Sequence, residues 1–365
     1  MATFMREVLT NPIHGYYMQK DVFGKKGDFV TSPEISPLFG EMVAVWCLNE
    51  WLRMGKPAFN LVELGPGRGT LQADIIRTLR HRRDFLSCLQ VHLMEASPAM
   101  RDIQAKTLGC QLEDKRPSVH FEGQTFYGTE GVSIKWFPIF SELPSNRPTI
   151  FVAQEFFDAL PAHQFVFTKK GWCEKMVDLN RNPESHSPFE FVLSNSPTLT
   201  SKMLIPPECN PLKQDNSASY VGDSVEISVE SASIAQKMGA VVKSHGGAGI
   251  VVDYGQDMPV GNSLRAIREH KFEGVFENVG KADLSVNVDF SRLRSSIAET
   301  NPKVKVEKLR TQKEFLEAMG IDARLTALLR DCDDEEEAGT LIEGFDRLVN
   351  EKQMGSVYKV LTFYN

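Results

Sequence analysis

The chain has 365 residues, of which 42% are hydrophobic and 24% are charged, and its formal net charge at pH 7 is −7. This composition is typical of a globular protein and excludes a largely disordered chain, while the acidic balance excludes a general basic surface for nucleic acid. Apolar runs such as residues 42–48 are much shorter than the roughly 20 residues of a membrane-spanning helix, so no membrane insertion is expected.

Apolar strands and amphipathic helices alternate from residue 59 to about residue 165. Strands are predicted at residues 59–65, 91–96, 132–137 and 149–156, and helices follow the first two at residues 70–83 and from Ser97 onward. Strands that alternate with helices form a parallel sheet with helices on both faces. A helix at about 231–243 and a buried strand at 249–255 continue the pattern. Thr311 and Glu314, at capping-box spacing, predict one more helix near the C-terminus.

The composition changes between the strands at 149–156 and 249–255. Residues 171–180 and 189–195 are typical of an antiparallel pair, and the stretch from 195 to 224 is rich in Ser, Pro and Asn. We therefore predict one α/β domain over residues 57–365, with an inserted accessory region at about 166–228. Residues 1–56 are predicted to form a separate N-terminal helical segment.

Six cysteines are spread along the chain without any C-x-x-C pair: Cys47, Cys88, Cys110, Cys173, Cys209 and Cys332. This spacing predicts neither a disulfide framework nor a metal site, and scattered thiols are typical of a reducing compartment. Residues 1–12 have neither an apolar signal core nor an Arg- and Ser-rich transit pattern, so no targeting segment is expected within the chain.

The most informative segment is the glycine-rich loop LVELGPGRGT. Its acid and its three glycines, spaced E-x-G-x-G-x-G, are Glu63, Gly65, Gly67 and Gly69. Glycines let the backbone turn sharply and approach a ligand, and the start of the following helix offers free N–H groups. Glu95 ends the next predicted strand, where a carboxylate commonly accepts both hydroxyls of an adenosine ribose. The loop and this acid together predict a nucleoside ligand.

Two features of the loop discriminate among nucleoside cofactors. Thr70 stands where the dinucleotide fingerprint G-x-G-x-x-G/A needs a small residue, and Glu63 would repel a pyrophosphate. No G-x-x-x-x-G-K-[ST] sequence occurs, which excludes a P-loop. S-adenosylmethionine fits better, because its adenosine suits Glu95 and its ammonium group suits Glu63. The sequence therefore predicts a class I methyltransferase site, and a nicotinamide-dependent oxidoreductase is the disfavoured alternative.

Several further segments resemble one particular family, and they are FMREVLTNPIHGYY, KGDFVTSPEISPLFGE, LVELGPGRGTL, QEFFDALPAHQF, VVDYGQ, VDFS and FLEAMGIDARL. Together they resemble the MidA-like family over nearly the whole chain. The resemblance implies a Rossmann-like class I methyltransferase fold with S-adenosyl-L-methionine as cofactor. It also implies a mitochondrial protein-arginine methyltransferase that serves in the assembly of respiratory complex I. The implied partner is a matrix-side complex I subunit, modified to symmetric dimethylarginine in the mitochondrial matrix, and a homodimer is left open.

Arginine is a demanding methyl acceptor because its guanidinium group stays protonated. Two carboxylates can grip this cation and localise its charge away from the attacking nitrogen. Glu155 and Asp158 follow a predicted central strand, so we predict that they form a substrate clamp, with His163 as an accessory. A turn cap for Asp158 and a structural hydrogen bond for His163 are the alternatives. Gln154 stands where the family usually has Asn or His, and it is a candidate cofactor contact.

The N-terminal segment is predicted to fold over the cofactor as a lid, as such segments often do in this fold class. Asp28 and Ser32, on a Gly- and Pro-punctuated stretch, are its candidate cofactor contacts. The alternative is an ordinary helix-capping turn before residues 37–53. Asp253 and Asp289 lie in later predicted strands, and the sequence leaves open whether they line the substrate channel or cap strand ends.

Two other functions are weighed against arginine methylation. The [DN]-P-P-[YF] signature of base and glutamine methyltransferases is absent at the strand end before Asp158, which disfavours modification of DNA bases. The remaining alternative is a non-catalytic S-adenosylmethionine-binding assembly factor that acts by binding its partner. Intact Glu63 and Glu95 argue against a decayed cofactor site but do not exclude binding without turnover.

Overall fold

The computed structural model describes residues 1–19, 31–110, 124–182, 184–185, 187–205, 220–299 and 303–365. The strands of these residues, in chain order, are β1 (Phe59–Leu64), β2 (Leu89–Met94), β3 (Phe126–Tyr127), β4 (Ser133–Phe137), β5 (Thr149–Gln154), β6 (His163–Thr168), β7 (Gly171–Leu179), β8 (Phe189–Leu193), β9 (Ser224–Ile227), β10 (Gly247–Gln256), β11 (Arg265–Arg268), β12 (Lys271–Glu273), β13 (Asp283–Ser285), β14 (Val288–Asp289), β15 (Lys305–Val306), β16 (Arg310–Thr311) and β17 (Tyr358–Tyr364). The α-helices are α1 (Ala2–Thr10), α2 (Tyr16–Gln19), α3 (Ser32–Ile35), α4 (Pro37–Arg53), α5 (Thr70–Thr78), α6 (Arg83–Cys88), α7 (Pro98–Thr107), α8 (Leu199–Leu204), α9 (Val229–His245), α10 (Phe290–Ala298), α11 (Gln312–Met319), α12 (Ile321–Arg330), α13 (Glu335–Val349) and α14 (Met354–Val357).

A central sheet has the strand order β3–β4–β2–β1–β5–β10–β17–β15. Strands β4, β2, β1, β5 and β10 run parallel, and β17 runs antiparallel to β10. Every residue of β1 and β5 is buried, as expected for strands covered on both faces. Strand β1 pairs with β2 on one side and β5 on the other, so the order reverses there. A crevice opens at the carboxyl ends of strands at such a switch point, and this is where open α/β sheets bind ligands.

Two hydrophobic clusters cover the faces of the central sheet. On one face the rings of Trp51, Phe59 and Phe85 pack together, with centroids 5.1 to 6.4 Å apart. On the other face Met238 of α9 and Leu293 of α10 pack in the cluster that includes β1, β5 and β10 side chains. The result is the three-layered α/β architecture predicted from the alternation of strands and helices. No helix of the described residues is both long and apolar enough to span a membrane.

Two smaller sheets lie outside the central one. The antiparallel sheet β8–β7–β6–β9 lies in the region predicted as an insertion at about 166–228, and the predicted pairing of β7 with β8 is confirmed. The sheet β12–β11–β13 packs against the N-terminal helices through a cluster that includes Met5, Leu9 and Leu284. The division into a segment 1–56 and a domain 57–365 remains a prediction.

The helix predicted at residues 70–83 is shorter in the structure. Helix α5 ends at Thr78, and α6 begins at Arg83. The Thr78 hydroxyl donates a 2.6 Å hydrogen bond to the Asp74 carbonyl oxygen, and Leu79 leaves the helix at φ −94° and ψ 11°. Bonds of this kind compete with the backbone hydrogen bonds of a helix.

The capping box of Thr311 and Glu314 is confirmed at the start of α11.

The close approach of β10 to β17 requires glycine at position 249. A Cβ atom there would lie 2.2 Å from Cζ of the fully buried Phe363 ring. We expect Gly249→Ala to lower the free energy of unfolding by about 1–3 kcal/mol, because the ring has little room to move. Denaturant unfolding measures the change.

Gly339→Ala is the matched control, since a Cβ at this helical position would have no atom within 4 Å. It should stabilise α13 by up to about 1 kcal/mol, because glycine is a poor helix former. Equal stability of the two variants would contradict the steric argument.

Candidate active site

The glycine loop joins β1 to α5 in a left-handed backbone conformation. The φ angles of Gly65, Gly67 and Gly69 are 63°, 52° and 82°. A Cβ at position 65 would lie 3.0 Å from the Phe156 ring, and one at position 69 would lie 3.4 Å from the Gln104 backbone. Positive φ and close neighbours together explain why this loop consists largely of glycine.

A cavity of about 490 Å³ lies beyond the carboxyl ends of β1, β2 and β5. Five of the predicted site residues line it, namely Gly65, Gly67, Glu95, Glu155 and Asp158. A smaller cavity of about 40 Å³ adjoins it and is lined by Glu63, Gln154 and Glu155, among others. Thr31, Gly65, Gly67 and Glu155 line both cavities. The structure thus brings the predicted cofactor loop and the predicted clamp to one place.

Glu95 is held in a network that also fixes the glycine loop. Its carboxylate accepts hydrogen bonds from the Ser97 backbone at 2.8 Å and from the Gln104 side chain at 2.9 Å. Gln104 donates as well to the Gly67 carbonyl oxygen at 2.8 Å, and it accepts from the Trp136 indole. Burial raises the pKa of Glu95, although these donors oppose the rise. Since a carboxylate can accept about four hydrogen bonds, Glu95 retains capacity for ribose hydroxyls.

Glu63 is suited to hold a cation. Its side chain is 3% exposed, and its Oε2 atom has no hydrogen-bond partner among the described residues. Burial raises the pKa of the carboxyl to about 8. A buried carboxylate normally has a partner, and an ammonium group in the small cavity would supply one. The residues present therefore fit the amino-acid end of S-adenosylmethionine.

Glu155 is the most constrained residue of the site. Its backbone has a φ of 48°, an uncommon value for a residue other than glycine. Its side chain accepts hydrogen bonds from Gln154 at 2.8 Å, from the Ser32 backbone at 3.4 Å and from the Tyr358 hydroxyl at 2.9 Å. Burial, and then the charge of Asp158, raises its pKa to about 7. Strain of this kind is typical of functional sites.

Asp158 faces the larger cavity with one oxygen atom unsatisfied. Its Oδ2 accepts a hydrogen bond from the Tyr254 hydroxyl, while its buried Oδ1 has no partner among the described residues. Burial raises the pKa of its carboxyl. The turn before it is held by Asp253, whose carboxylate accepts from the backbone of Phe157 at 3.1 Å and of Asp158 at 3.3 Å. Asp253 thus caps the turn and does not line the cavity.

The N-terminal segment lies against the site. Thr31 lines both cavities, and Ser32 contacts Glu155 through its backbone N–H and Gln312 through its hydroxyl, at 3.3 Å. Tyr17 of α2 lines the larger cavity. Asp28 lies outside the described residues, so its predicted role remains a prediction. Ser32 lines neither cavity, and its contact with the site is the one to Glu155.

Two predicted residues lie away from the cavity lining. His163, in β6, bonds Glu174 at 3.0 Å through Nδ1 and stacks on Phe165, and it does not line the cavity. These contacts match the structural alternative, so we do not retain the accessory role. Asp289 caps α10 by accepting from the Arg292 backbone at 3.0 Å. In the described part of the chain, no group of three or more His, Cys, Asp or Glu side chains could hold a metal ion.

Sequence patterns missed several polar residues of the site, namely Tyr17, Gln104, Tyr254, Asp283 and Tyr358. Tyr17 and Tyr254 lie inside segments that resemble the family, but nothing local indicates that their hydroxyls face carboxylates. Asp283 and Tyr358 have no motif around them. Their roles depend on residues far away in the chain.

The raised pKa of Glu63 predicts that its ionised side chain lowers the stability of the ligand-free protein while it raises the affinity for the cofactor. Ionising this acid costs stability in the absence of ligand, and the cost grows between its ordinary pKa of 4.5 and its folded pKa of about 8. We therefore expect Glu63→Gln to stabilise the ligand-free protein increasingly from about pH 4.5 to 8, by at most about 5 kcal/mol. The same variant should bind S-adenosylmethionine at least about tenfold more weakly, because the ammonium loses its anionic partner.

Glu41→Gln is a control for which the expected change in stability has the opposite sign. This carboxylate pairs with Arg77 and Arg324. Burial acts to raise its pKa, but hydrogen bonds from Arg324 and Arg77 together outweigh burial and hold the pKa below the ordinary value. Removing this carboxylate should destabilise the protein at neutral pH, with the difference lost as the pH falls through the folded pKa. Thermal unfolding at several pH values measures the stability of each variant, and calorimetric titration measures its affinity for S-adenosylmethionine. A stability gain of Glu63→Gln that does not change with pH would contradict the assignment.

Comparison with known proteins identifies the family. Residues 42–308 match a family model of S-adenosyl-L-methionine-dependent methyltransferases. "Protein arginine methyltransferase NDUFAF7, mitochondrial" of Danio rerio is 39% identical over 372 residues, covering 100% of this chain and 83% of the relative. The protein of the same name from Homo sapiens is 37% identical over 366 residues, covering 97% and 77%.

A solved structure agrees with the fold. A crystal structure from Burkholderia thailandensis, bound to S-adenosyl-homocysteine, matches with a TM-score of 0.78 at 22% identity, covering 100% of this chain and 87% of the other. The predicted class I methyltransferase fold and the predicted cofactor are confirmed. The chain belongs to the family of S-adenosyl-L-methionine-dependent methyltransferases that includes these arginine methyltransferases, and S-adenosylmethionine is its cofactor.

Proposed function

We propose that this methyltransferase modifies an arginine of a protein substrate. The supporting observation is the pair of acids beside the cofactor loop, Glu155 and Asp158, which line one cavity together with Gly65 and Gly67. A buried site with acidic side chains attracts a cation, and the guanidinium of arginine matches carboxylates in both charge and geometry. The names of the relatives, which describe mitochondrial arginine methyltransferases, support the same acceptor and a mitochondrial location.

The cofactor would be held by an acid before the glycine loop and by an acid after β2. Glu63 would accept the ammonium of its amino-acid end, and Glu95 would accept its ribose hydroxyls. When bound, S-adenosylmethionine supplies an electrophilic methyl group on a sulfonium centre. Gln104 fixes the loop against Glu95, so one side chain positions two of the cofactor contacts.

Asp158 and Glu155 would supply what methylation of an arginine needs, a hydrogen-bond acceptor for its guanidinium and a base for its proton. Asp158 would accept a guanidinium N–H at Oδ1, the buried atom without a partner among the described residues. Glu155, whose pKa is raised to about 7, can take the proton that the attacking nitrogen loses. In each turnover one N–C bond forms, the S–C bond breaks, and sulfur keeps the bonding electron pair. Because the site is largely buried, attraction between carboxylate and guanidinium is strong.

The finer part of the proposal rests on the family resemblance described above. It names an arginine in a matrix-side complex I subunit as the target, symmetric dimethylarginine as the product and support of complex I assembly as the role. Labelled methyl transfer to a mitochondrial extract from cells that lack the enzyme tests it. A labelled complex I subunit with dimethylarginine would support the proposal. Cofactor binding without transfer to any protein would favour the non-catalytic assembly factor instead.

Glu155→Gln should abolish transfer while leaving cofactor affinity nearly unchanged. The amide keeps the shape but neither accepts the proton nor attracts the cation, so we expect a loss of at least about a hundredfold in kcat. In the native protein kcat/KM should fall below about pH 7, where Glu155 becomes protonated and neutral.

Glu174→Gln is the matched control, because Glu174 is a buried carboxylate of the accessory sheet that does not line the cavity. It should keep near-normal transfer. Normal turnover by Glu155→Gln would show that Glu155 has no part in the proposed mechanism. If kcat/KM of the native protein does not change around pH 7, Glu155 is not the proton acceptor.

A further inference from the structure

A further acid lines the cavity that contains the proposed clamp. Asp283 of β13 is 3% exposed, and its Oδ1 accepts a 2.7 Å hydrogen bond from the Tyr17 hydroxyl. Both residues line the same cavity as Glu155 and Asp158. No motif in the sequence indicated this pair, and the proposed function does not use it.

The backbone fixes this pair relative to the clamp. The Val286 N–H, just after β13, donates a 3.0 Å hydrogen bond to the Asp158 carbonyl oxygen. On the other side, helices α1 and α2 pack on β13 through Met5, Tyr16 and Leu284. Asp283 therefore enters the cavity from a strand attached to the clamp, and Tyr17 enters from a helix attached to that strand.

Three of the five acids that line the cavity share one kind of partner, whereas Glu95 and Glu230 have others. A tyrosine hydroxyl donates to each of the three: Tyr358 to Glu155, Tyr254 to Asp158 and Tyr17 to Asp283. The charges of Asp283 and Asp158 both act, after burial, to raise the pKa of Tyr17, so these groups lie close together and the phenol stays protonated. A phenol donor orients and stabilises a carboxylate without cancelling its negative charge.

Glu41, a buried acid outside the cavity, has partners of another kind. Glu41 is 2% exposed and is bonded by two guanidinium groups, those of Arg77 and Arg324. Such pairing neutralises the acid and leaves nothing to attract a ligand cation. In the cavity, Arg265 acts electrostatically on Asp158, but its guanidinium lies over the Tyr254 ring, 4.3 Å from the centroid. Among the described residues that line the cavity there are five acids and one cation, Lys237.

We propose that Asp283, oriented by Tyr17, is a third carboxylate that binds the methyl acceptor. It holds the guanidinium nitrogen that is not being methylated. This inference rests on the proposed function and deepens it. A guanidinium has five N–H donors on three nitrogens, more than one pair of carboxylates can engage from a single edge. A monomethylated nitrogen still has one N–H, so Asp283 can also hold it while the other nitrogen reacts. The pair thereby favours a second methyl transfer.

The test uses Asp283→Asn and Tyr17→Phe in the full chain, with the mitochondrial extract described above as methyl acceptor. We expect Asp283→Asn to raise the acceptor KM about tenfold to a hundredfold, as expected for loss of a hydrogen bond to a charged group. It should also shift the products from dimethylarginine to monomethylarginine, measured after hydrolysis. Cofactor affinity, measured by calorimetry, should stay within about twofold of native, because Asp283 is proposed to contact the acceptor and not the cofactor.

Tyr17→Phe removes only a hydroxyl and keeps the ring packed, so it remains informative if Asp283→Asn fails to fold. It should change KM and product ratio in the same direction but less. The double variant should be no worse than Asp283→Asn alone, because Tyr17 acts through Asp283. Tyr364→Phe is the matched control, since it removes a similar 3.0 Å bond to Glu307 outside the cavity.

The outcomes separate this inference from the proposed function. If the native protein transfers methyl groups to protein arginine but both variants match it in KM and product ratio, the role of Asp283 is wrong. If Tyr364→Phe shows the same defects, the effect is general loss of stability and the inference fails. If the native protein methylates no arginine, the proposed function itself fails.

Discussion

The fully buried carboxylate of Asp253 is the constraint on which the proposed acceptor site depends. It accepts hydrogen bonds from the backbone of Phe157, Asp158 and Tyr254, and so ties the turn after β5 to the end of β10. This turn follows Glu155, whose φ is positive, and it carries Asp158 to the cavity. Burial, and then the charges of Asp158 and Glu155, raise the pKa of Asp253 well above its ordinary value. The fold thus accepts an electrostatic cost to position two acids.

Buried acids have different partners in different parts of this protein. Arginines pair with Glu41, which lies outside the cavity. Tyrosine hydroxyls donate to Glu155, Asp158 and Asp283, three of the acids that line the cavity. Burial raises the pKa of Glu63 to about 8, and burial and then the charge of Asp158 raise that of Glu155 to about 7, so keeping these acids ionised has an electrostatic cost. A ligand cation would lower that cost, which couples stability to binding in the way expected of a functional site.

Several distant parts of the chain form the walls of the cavity, among them α9 through Glu230 and Lys237. The glycine loop and Glu95 come from the first half of the central sheet, and Gln104 joins them from α7. The clamp follows β5 at the switch point. The N-terminal helices and the small sheet β12–β11–β13 add Tyr17 and Asp283. The first group suits the cofactor of the family, whereas the last lies on the side of the cavity where we propose that the methyl acceptor binds.

The sequence by itself determined the α/β alternation, the glycine loop with Glu63, the acid Glu95 and the capping box at Thr311, because each depends on neighbours in the chain or on periodicity. It predicted Glu155 and Asp158 as a clamp from their position after a central strand, and both line the cavity, whereas the His163 side chain, predicted as an accessory, bonds Glu174. Only the tertiary structure decided the partners of the acids. Tyr358 meets Glu155 across 203 residues and Tyr17 meets Asp283 across 266. Local sequence patterns do not indicate contacts between residues so far apart, because these side chains are brought together only by the order of strands in the sheet and the packing of helices.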